Sequence, residues 1–278
     1  TGSVAGLPGF ATFCYSTNAN LSNCTEVSAV QTLDEGASNA SLTANITGLA
    51  PGTRYYYRIT VSNGLTSQQG TIMSFTTSNC YQVLTGGNIA SGEHAVMFTG
   101  PCQWSVPAGV TEVKALVVAG GGGGGADCVG GGGGAGGVVY NEHLAVSATV
   151  SVTVGQGGSA GHFQGNCQGT QAGNGGNSSF GTITALGGGG GGNFNSFLDG
   201  ATGGSGGGGG GVSGHGGAGT AGQGFAGGDG VAGPGNPGGG GGGATAAGGL
   251  PTATGDGGAG GAGFTSSIGG VDETYAAG

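Results

Sequence analysis

The chain has 278 residues, of which 79 are glycine, and its 3 Lys or Arg against 12 Asp or Glu give a formal net charge of -9. Nucleic-acid binding depends on a cationic footprint that neutralises phosphates, so a chain whose only lysine and arginines are Arg54, Arg58 and Lys114 is excluded from that class. The same deficit argues against an anionic membrane surface, and the longest aliphatic run, 115–119, falls far short of the roughly 20 residues of a spanning helix.

Composition changes sharply along the chain. Residues 1–79 hold 8 glycines, 80–119 hold 5, and 120–278 hold 66 with no Lys or Arg. Two domains are expected, 1–79 and 80–278. In the first, alternation of β-branched and aromatic residues predicts strands at 10–15, 25–31, 41–46, 53–62 and 70–76, separated by Gly, Pro, Asn and Ser clusters. Short strands at that spacing imply an antiparallel sandwich. In Tyr55-Tyr56-Tyr57-Arg58-Ile59-Thr60-Val61 the odd positions face the core and Arg58 and Thr60 the solvent. Cys14 and Cys24 bracket a polar loop and would staple a hairpin.

The run Leu49-Ala50-Pro51-Gly52-Thr53-Arg54-Tyr55-Tyr56-Tyr57-Arg58, followed by Val61-Ser62-Asn63 and Ser74-Phe75-Thr76-Thr77, resembles the E-F corner and the F and G strands of a bacterial-type fibronectin type III module. The resemblance covers about 1–78. It implies a seven-strand sandwich in which Tyr55 is the corner tyrosine, its hydroxyl bonded back to the main chain, and a spacer role. In that family a strand precedes the segment matched by Thr1-Gly2-Ser3-Val4, so an open edge is expected, ready to pair with another strand. With no initiator Met, Thr1 reads as a processed start or as the edge of a longer chain.

Beyond residue 80, strands are expected at 95–99, 104–110 and 112–118, with a turn through Pro101-Cys102, and a further hairpin over 137–155. These form a small β base, with Phe98, Trp104, Val117 and Val118 as its core. Glycine tracts follow at 120–125, 130–134, 187–192, 206–211 and 238–243. Glycine disfavours the α-helix by about 1 kcal/mol per residue, and a glycine β-sheet has no side chains to pack. A left-handed extended helix of three residues per turn points its N–H and C=O groups outward, so parallel stacking of many such segments satisfies each through its neighbours. Only glycine permits so close an approach. The fold class is therefore mostly β, with a β base carrying an array of polyglycine II helices.

Phe98 to Val118, with W-S-V-P-A-G-V-T-E-V-K-A-L-V-V running into glycine, together with Ser151-Val152-Thr153-Val154-Gly155-Gln156-Gly157-Gly158 and Gly173-Asn174-Gly175-Gly176-Asn177-Ser178-Ser179-Phe180-Gly181, resembles the bacterial and phage glycine-rich surface domain. It is similar as well to the polyglycine sandwich at the tip of T-even-type phage long tail fibres. The match covers about 95–278. It implies a rigid extracellular element whose loops carry any recognition.

Cys14, Cys24, Cys80, Cys102, Cys128 and Cys167 fall into three local pairs without C-x-x-C spacing, which reads as disulfides. Sequons at Asn20, Asn23, Asn39, Asn45 and Asn177 fit the same oxidising, extracellular setting as candidate glycosylation sites. Glycine followed by Asp127 imitates a dinucleotide turn, but that motif must open a helix. The G-x-S-x-G runs around Ser159 and Ser205 lack the strand, elbow and helix of a nucleophile. His94, His143, His162 and His215 show no metal-ligand spacing, and Asp199, Asp229, Asp256 and Asp272 are solitary in loops, although two of them could meet in space; no cofactor, metal or catalytic set is expected. Contact loops are expected at His162 and Phe163, and at Asn193, Phe194, Asn195 and Phe197, where aromatics mix with amides. The reading is a non-enzymatic surface filament subunit that self-associates. Its rival is an adhesin for carbohydrate or a cell-surface receptor.

Overall fold

A computed structural model describes residues 9–34, 40–77, 79–126, 129–162, 170–194, 197–252 and 255–278. The described residues are all β and irregular, with no helix among them. The chain divides into two compact units, Thr1–Cys80 and Tyr81–Gly278.

The described residues of the first unit form a five-stranded antiparallel sheet. Its strands are β1 (Phe10–Ser16), β2 (Thr25–Ser28), β3 (Arg54–Ser62), β4 (Ser67–Gln69) and β5 (Met73–Thr76), in the order β2-β1-β3-β4 with β5 also on β3. Residues 41–46 are not a strand; the stretch is tied to its neighbour by the Val30 N–H donating to Thr43 O at 2.8 Å and by the Gln31 side chain. The core is small: Ala11 and Val61 face each other across β1 and β3 and pack with Leu33. Along the same sheet face Tyr15, Tyr55, Tyr57 and Phe75 form a chain of ring contacts at 5.9 to 6.1 Å. The odd positions of β3 thus face apolar partners as the alternation requires, but Arg58 departs from expectation. It is half-buried, and its Nε is enclosed without a hydrogen-bond partner. The Ala50 N–H donates to the Tyr55 hydroxyl at 3.0 Å, fixing the bend before β3. Cys14 and Cys24 form a disulfide with Cα atoms 5.5 Å apart, joining β1 to the loop before β2.

The second unit is built on β6 (Tyr81–Leu84), β7 (Ala95–Phe98), β8 (Cys102–Ser105), β9 (Glu112–Val118), β10 (Val138–Ala145), β11 (Thr149–Thr153), β12 (Ser178–Phe180), β13 (Ile183–Ala185), β14 (Phe264–Ser266) and β15 (Glu273–Tyr275). Cys102 opens β8 instead of sitting in a turn, and 106–110 forms the turn instead of continuing a strand. The sheets β13-β12-β11-β8 and β9-β10 share one core of Trp104, Ala115, Val117, Leu144, Val150, Val152, Phe180 and Ala185. Phe98 packs edge-on to Trp104 at 5.8 Å. Val118 lies outside that core, because alternation along β9 turns it to the face opposite Val117.

Glycine segments continue directly out of these strands. β9 runs into 120–125 and 130–137 returns into β10; β11 runs into 155–161 and 171–177 returns into β12; β13 runs into 186–192. Their bonds repeat every third residue. The Gly188 and Gly191 N–H groups donate to Gly120 and Gly123 O, both at 2.9 Å, while Gly189 and Gly192 donate to Ser205 and Gly208 O at 2.9 and 2.8 Å. Gly187 and Gly190 donate to the side-chain oxygens of Asn177 and Asn174, both at 2.9 Å. Every amide of the 187–192 tract is therefore satisfied, in three directions, with the tract fully buried. Close approach explains the composition: a Cβ on Gly189 would meet the carbonyl oxygen of Ala201, and one on Gly208 that of Gly239. Neither glycine has a positive φ, so absence of a side chain, not backbone freedom, is the requirement.

Candidate functional site

The bond registers fix the direction of each segment. Gly122 and Gly125 donate to Gly134 and Gly131, so 130–137 opposes 120–125; Ala201 and Gly204 donate to Gly190 and Gly187, so 198–204 opposes 186–192. Gly206 and Gly209 donate to Phe225 and Gly228, so 205–211 and 224–230 run together, and Gly239 and Gly242 donate back to Gly209 and Gly206. The alternation leaves one end of the array on the strands and brings the connections after 125, 161, 192, 211, 230 and 249 to the other end. That loop-bearing end is the candidate site.

Its described surface mixes apolar and acidic groups. Phe197, Val231 and Leu250 are 41%, 42% and 65% exposed. Asp199 and Asp229, solitary along the chain, converge on adjacent residues: Asp199 Oδ1 accepts the His215 N–H and Asp229 Oδ1 the Gly216 N–H, each at 2.7 Å. His215 Nδ1 lies 3.8 Å from Asp229, both side chains exposed. The carboxylates thus cap the array's outer amides. Among the described residues no group of His, Cys, Asp or Glu is arranged to hold a metal ion.

Of the expected contact residues, Phe197 and His162 are exposed and Phe194 is half-buried, while Phe163 and Asn195 lie outside the described residues. Asn193 is a correction: it is fully buried. Its Oδ1 accepts the Ala126 N–H at 2.9 Å and its Nδ2 donates to Thr170 O at 2.6 Å. It clamps three loops from inside, because a side-chain amide can both accept and donate where a glycine backbone ends. Ser205 is buried with an unpartnered hydroxyl and sits at a turn on the strand end, not at an exposed elbow.

The sequon residues Asn20, Asn23 and Asn45 are exposed, and Asn39 lies outside the described residues. Asn177 is exposed as a residue, but its Oδ1 is engaged by Gly187. Asn174 and Asn177 were the residues missed by sequence reasoning as array components; their three-residue spacing just ahead of a glycine tract was the available signal. Cys80 and Cys102 are disulfide-bonded, and Cys128 and Cys167 lie outside the described residues.

At the strand end, the Glu112 carboxylate accepts a hydrogen bond at 2.8 Å from His143 Nδ1 and holds its pKa above the ordinary value, at a fully exposed position. Tyr275 is pushed up to about 12 by burial, with its hydrogen bond to Glu273 adding to the shift.

Fold and site together define an all-β protein whose second unit is glycine-rich, with no helix among the described residues long and apolar enough to cross a membrane. The chain belongs to the glycine-rich domain family, whose sequence model matches residues 96–278. No curated protein and no solved structure matches it.

Proposed function

We propose that the protein is an extracellular structural element, a subunit or repeat of a surface filament. In this reading a fibronectin type III-like spacer precedes a rigid body of polyglycine II helices. The observation that carries it is the three-residue bond repeat, which fills the interior of the glycine segments with backbone rather than side chains. A body so built is stiff, and no charged side chain is buried in it among the described residues. Support for the spacer comes from the bond between Ala50 and the Tyr55 hydroxyl, the geometry of a corner tyrosine. Disulfides at Cys14, Cys24, Cys80 and Cys102 fit an oxidising compartment.

A second reading is favoured by the exposed Phe197, Val231 and Leu250 at the loop end: a discrete adhesin that presents this end to a carbohydrate or cell-surface receptor. Negative-stain electron microscopy with light scattering separates the two. Long fibres with a regular axial repeat are expected; monodisperse particles would reject the filament and promote the adhesin, to be followed by glycan-array binding with Phe197→Ala as the control.

A further inference from the structure

Segment 186–192 is surrounded through backbone bonds by 120–125, 130–137, 171–177, 198–204 and 205–211. Among the described residues one side lacks a backbone neighbour. There Gly187 and Gly190 donate to Asn177 and Asn174 Oδ1, each at 2.9 Å. With each Oδ1 turned inward, the carboxamide turns its two Nδ2 hydrogens outward. They border a groove of about 310 Å³ that Thr202 and Thr220 also line. The two amides therefore relay the donor row of 186–192 one step outward, at a three-residue spacing of about 9.3 Å for a rise of 3.1 Å per residue.

Residues 155–161 lie on the other side of 171–177. Gly173 and Gly176 donate to Ser159 and Gln156 O, and Gly158 and Gly161 donate to Gly121 and Gly124 O. Gln156, Gly157, Ser159 and Ala160 remain exposed. The carbonyls of Gly157 and Ala160, three residues apart, accept no backbone bond among the described residues.

We propose that the groove beside Asn174 and Asn177 is a docking site for residues 155–161 of a second copy of this chain. The groove offers donors at the spacing at which the segment offers free carbonyls, and neither carries a charge that would have to be desolvated. Groove and segment sit on opposite sides of 171–177, so the contact is heterologous. Each pairing leaves one groove and one segment free, and copies add in an open row. The proposal deepens the filament reading and rests on it for the second copy as the source of the segment.

Two variants leave the array itself intact. A Cβ at Gly157 meets only Gly121 O, at 3.9 Å, and Thr202 is exposed. Gly157→Arg therefore blocks the segment and Thr202→Arg the groove. In sedimentation velocity, at concentrations where the native chain associates, each variant alone is expected to be monomeric. An equimolar mixture should give a 1:1 dimer and nothing longer, because one intact groove meets one intact segment. Native-like assembly by either variant, or a mixture that stays monomeric, would overturn the proposal. Filaments that persist in both variants would remove the groove and leave the filament reading standing. A native chain that is monomeric throughout would remove that reading and, with it, the second copy as occupant. Tetraglycine added to that monomer would then decide the groove's own fate: shifts of the Asn174 and Asn177 side-chain amides keep it for another glycine-rich chain, and unmoved signals dismiss it.

Discussion

The strand base and the glycine array of the second unit adjoin along the chain and are held together by opposite means. In the base, Trp104, Phe180, Val150 and Val152 fill space with side chains, and stability follows from apolar area removed from water. In the array, space is filled by main chain packed against main chain, and the N–H groups of its buried 187–192 tract are all answered by a carbonyl or amide oxygen from a neighbouring segment. The base is sensitive to removing atoms and the array to adding them.

The largest expected effect is on the base. Trp104→Ala deletes a buried ring that touches Phe98 and Phe180, and should cost about 3–5 kcal/mol in denaturant unfolding of the second unit. Gly189→Ala is the matching break in the array: one added methyl meets the Ala201 carbonyl and should cost about 1–3 kcal/mol. Its control is Gly124→Ala, where nothing lies within 4 Å, and a change within about 0.5 kcal/mol is expected. Equal costs at the two glycines would contradict the packing argument. Asn193→Ala strands the Ala126 N–H and the Thr170 carbonyl, and should cost about 1–3 kcal/mol, with exchange of the Ala126 amide accelerated.

Smaller effects sharpen the contrast with exposed polar contacts. Tyr55→Phe removes one bond to Ala50 and should lower the stability of the first unit by about 1 kcal/mol, leaving the second unit's melting unchanged. The His143 pKa is raised by Glu112, so the folded state binds that proton more tightly than the unfolded one. Its contribution is present below the ordinary histidine pKa and is lost as pH rises through the raised folded value. An NMR titration of His143 should show the shift, and Glu112→Gln should abolish most of it.

Strands with clear alternation were legible in the sequence: β1, β3 and β9 lie where residue pattern placed them, whereas the strands within 137–155 do not form the expected hairpin, since β10 pairs with β9 and β11 with β8 and β12. β12 to β15 were not, because three-residue strands leave too short a pattern to distinguish from loop. The stretch 41–46 alternates as a strand does, yet lacks ladder bonds, since pattern reports faces rather than pairing. At the candidate site, Phe197 was legible as an exposed aromatic, while Asn193 was not legible as a buried clamp. Its role depends on which segments end beside it, and that is set by three-dimensional packing. Which of the loop acids meet was hidden for the same reason: Asp199 and Asp229, which cap neighbouring amides, stand 30 positions apart in the chain.

Residue-resolved hydrogen exchange of the glycine amides tests the central claim most directly. All six amides of 187–192 should be strongly protected. Within 120–125, Gly120, Gly122, Gly123 and Gly125 should be protected, and Gly121 and Gly124, whose amides have no partner among the described residues, should exchange fast. That three-residue alternation is the signature of an array held by rotating backbone bonds. Uniform protection or uniform rapid exchange across the two tracts would contradict it.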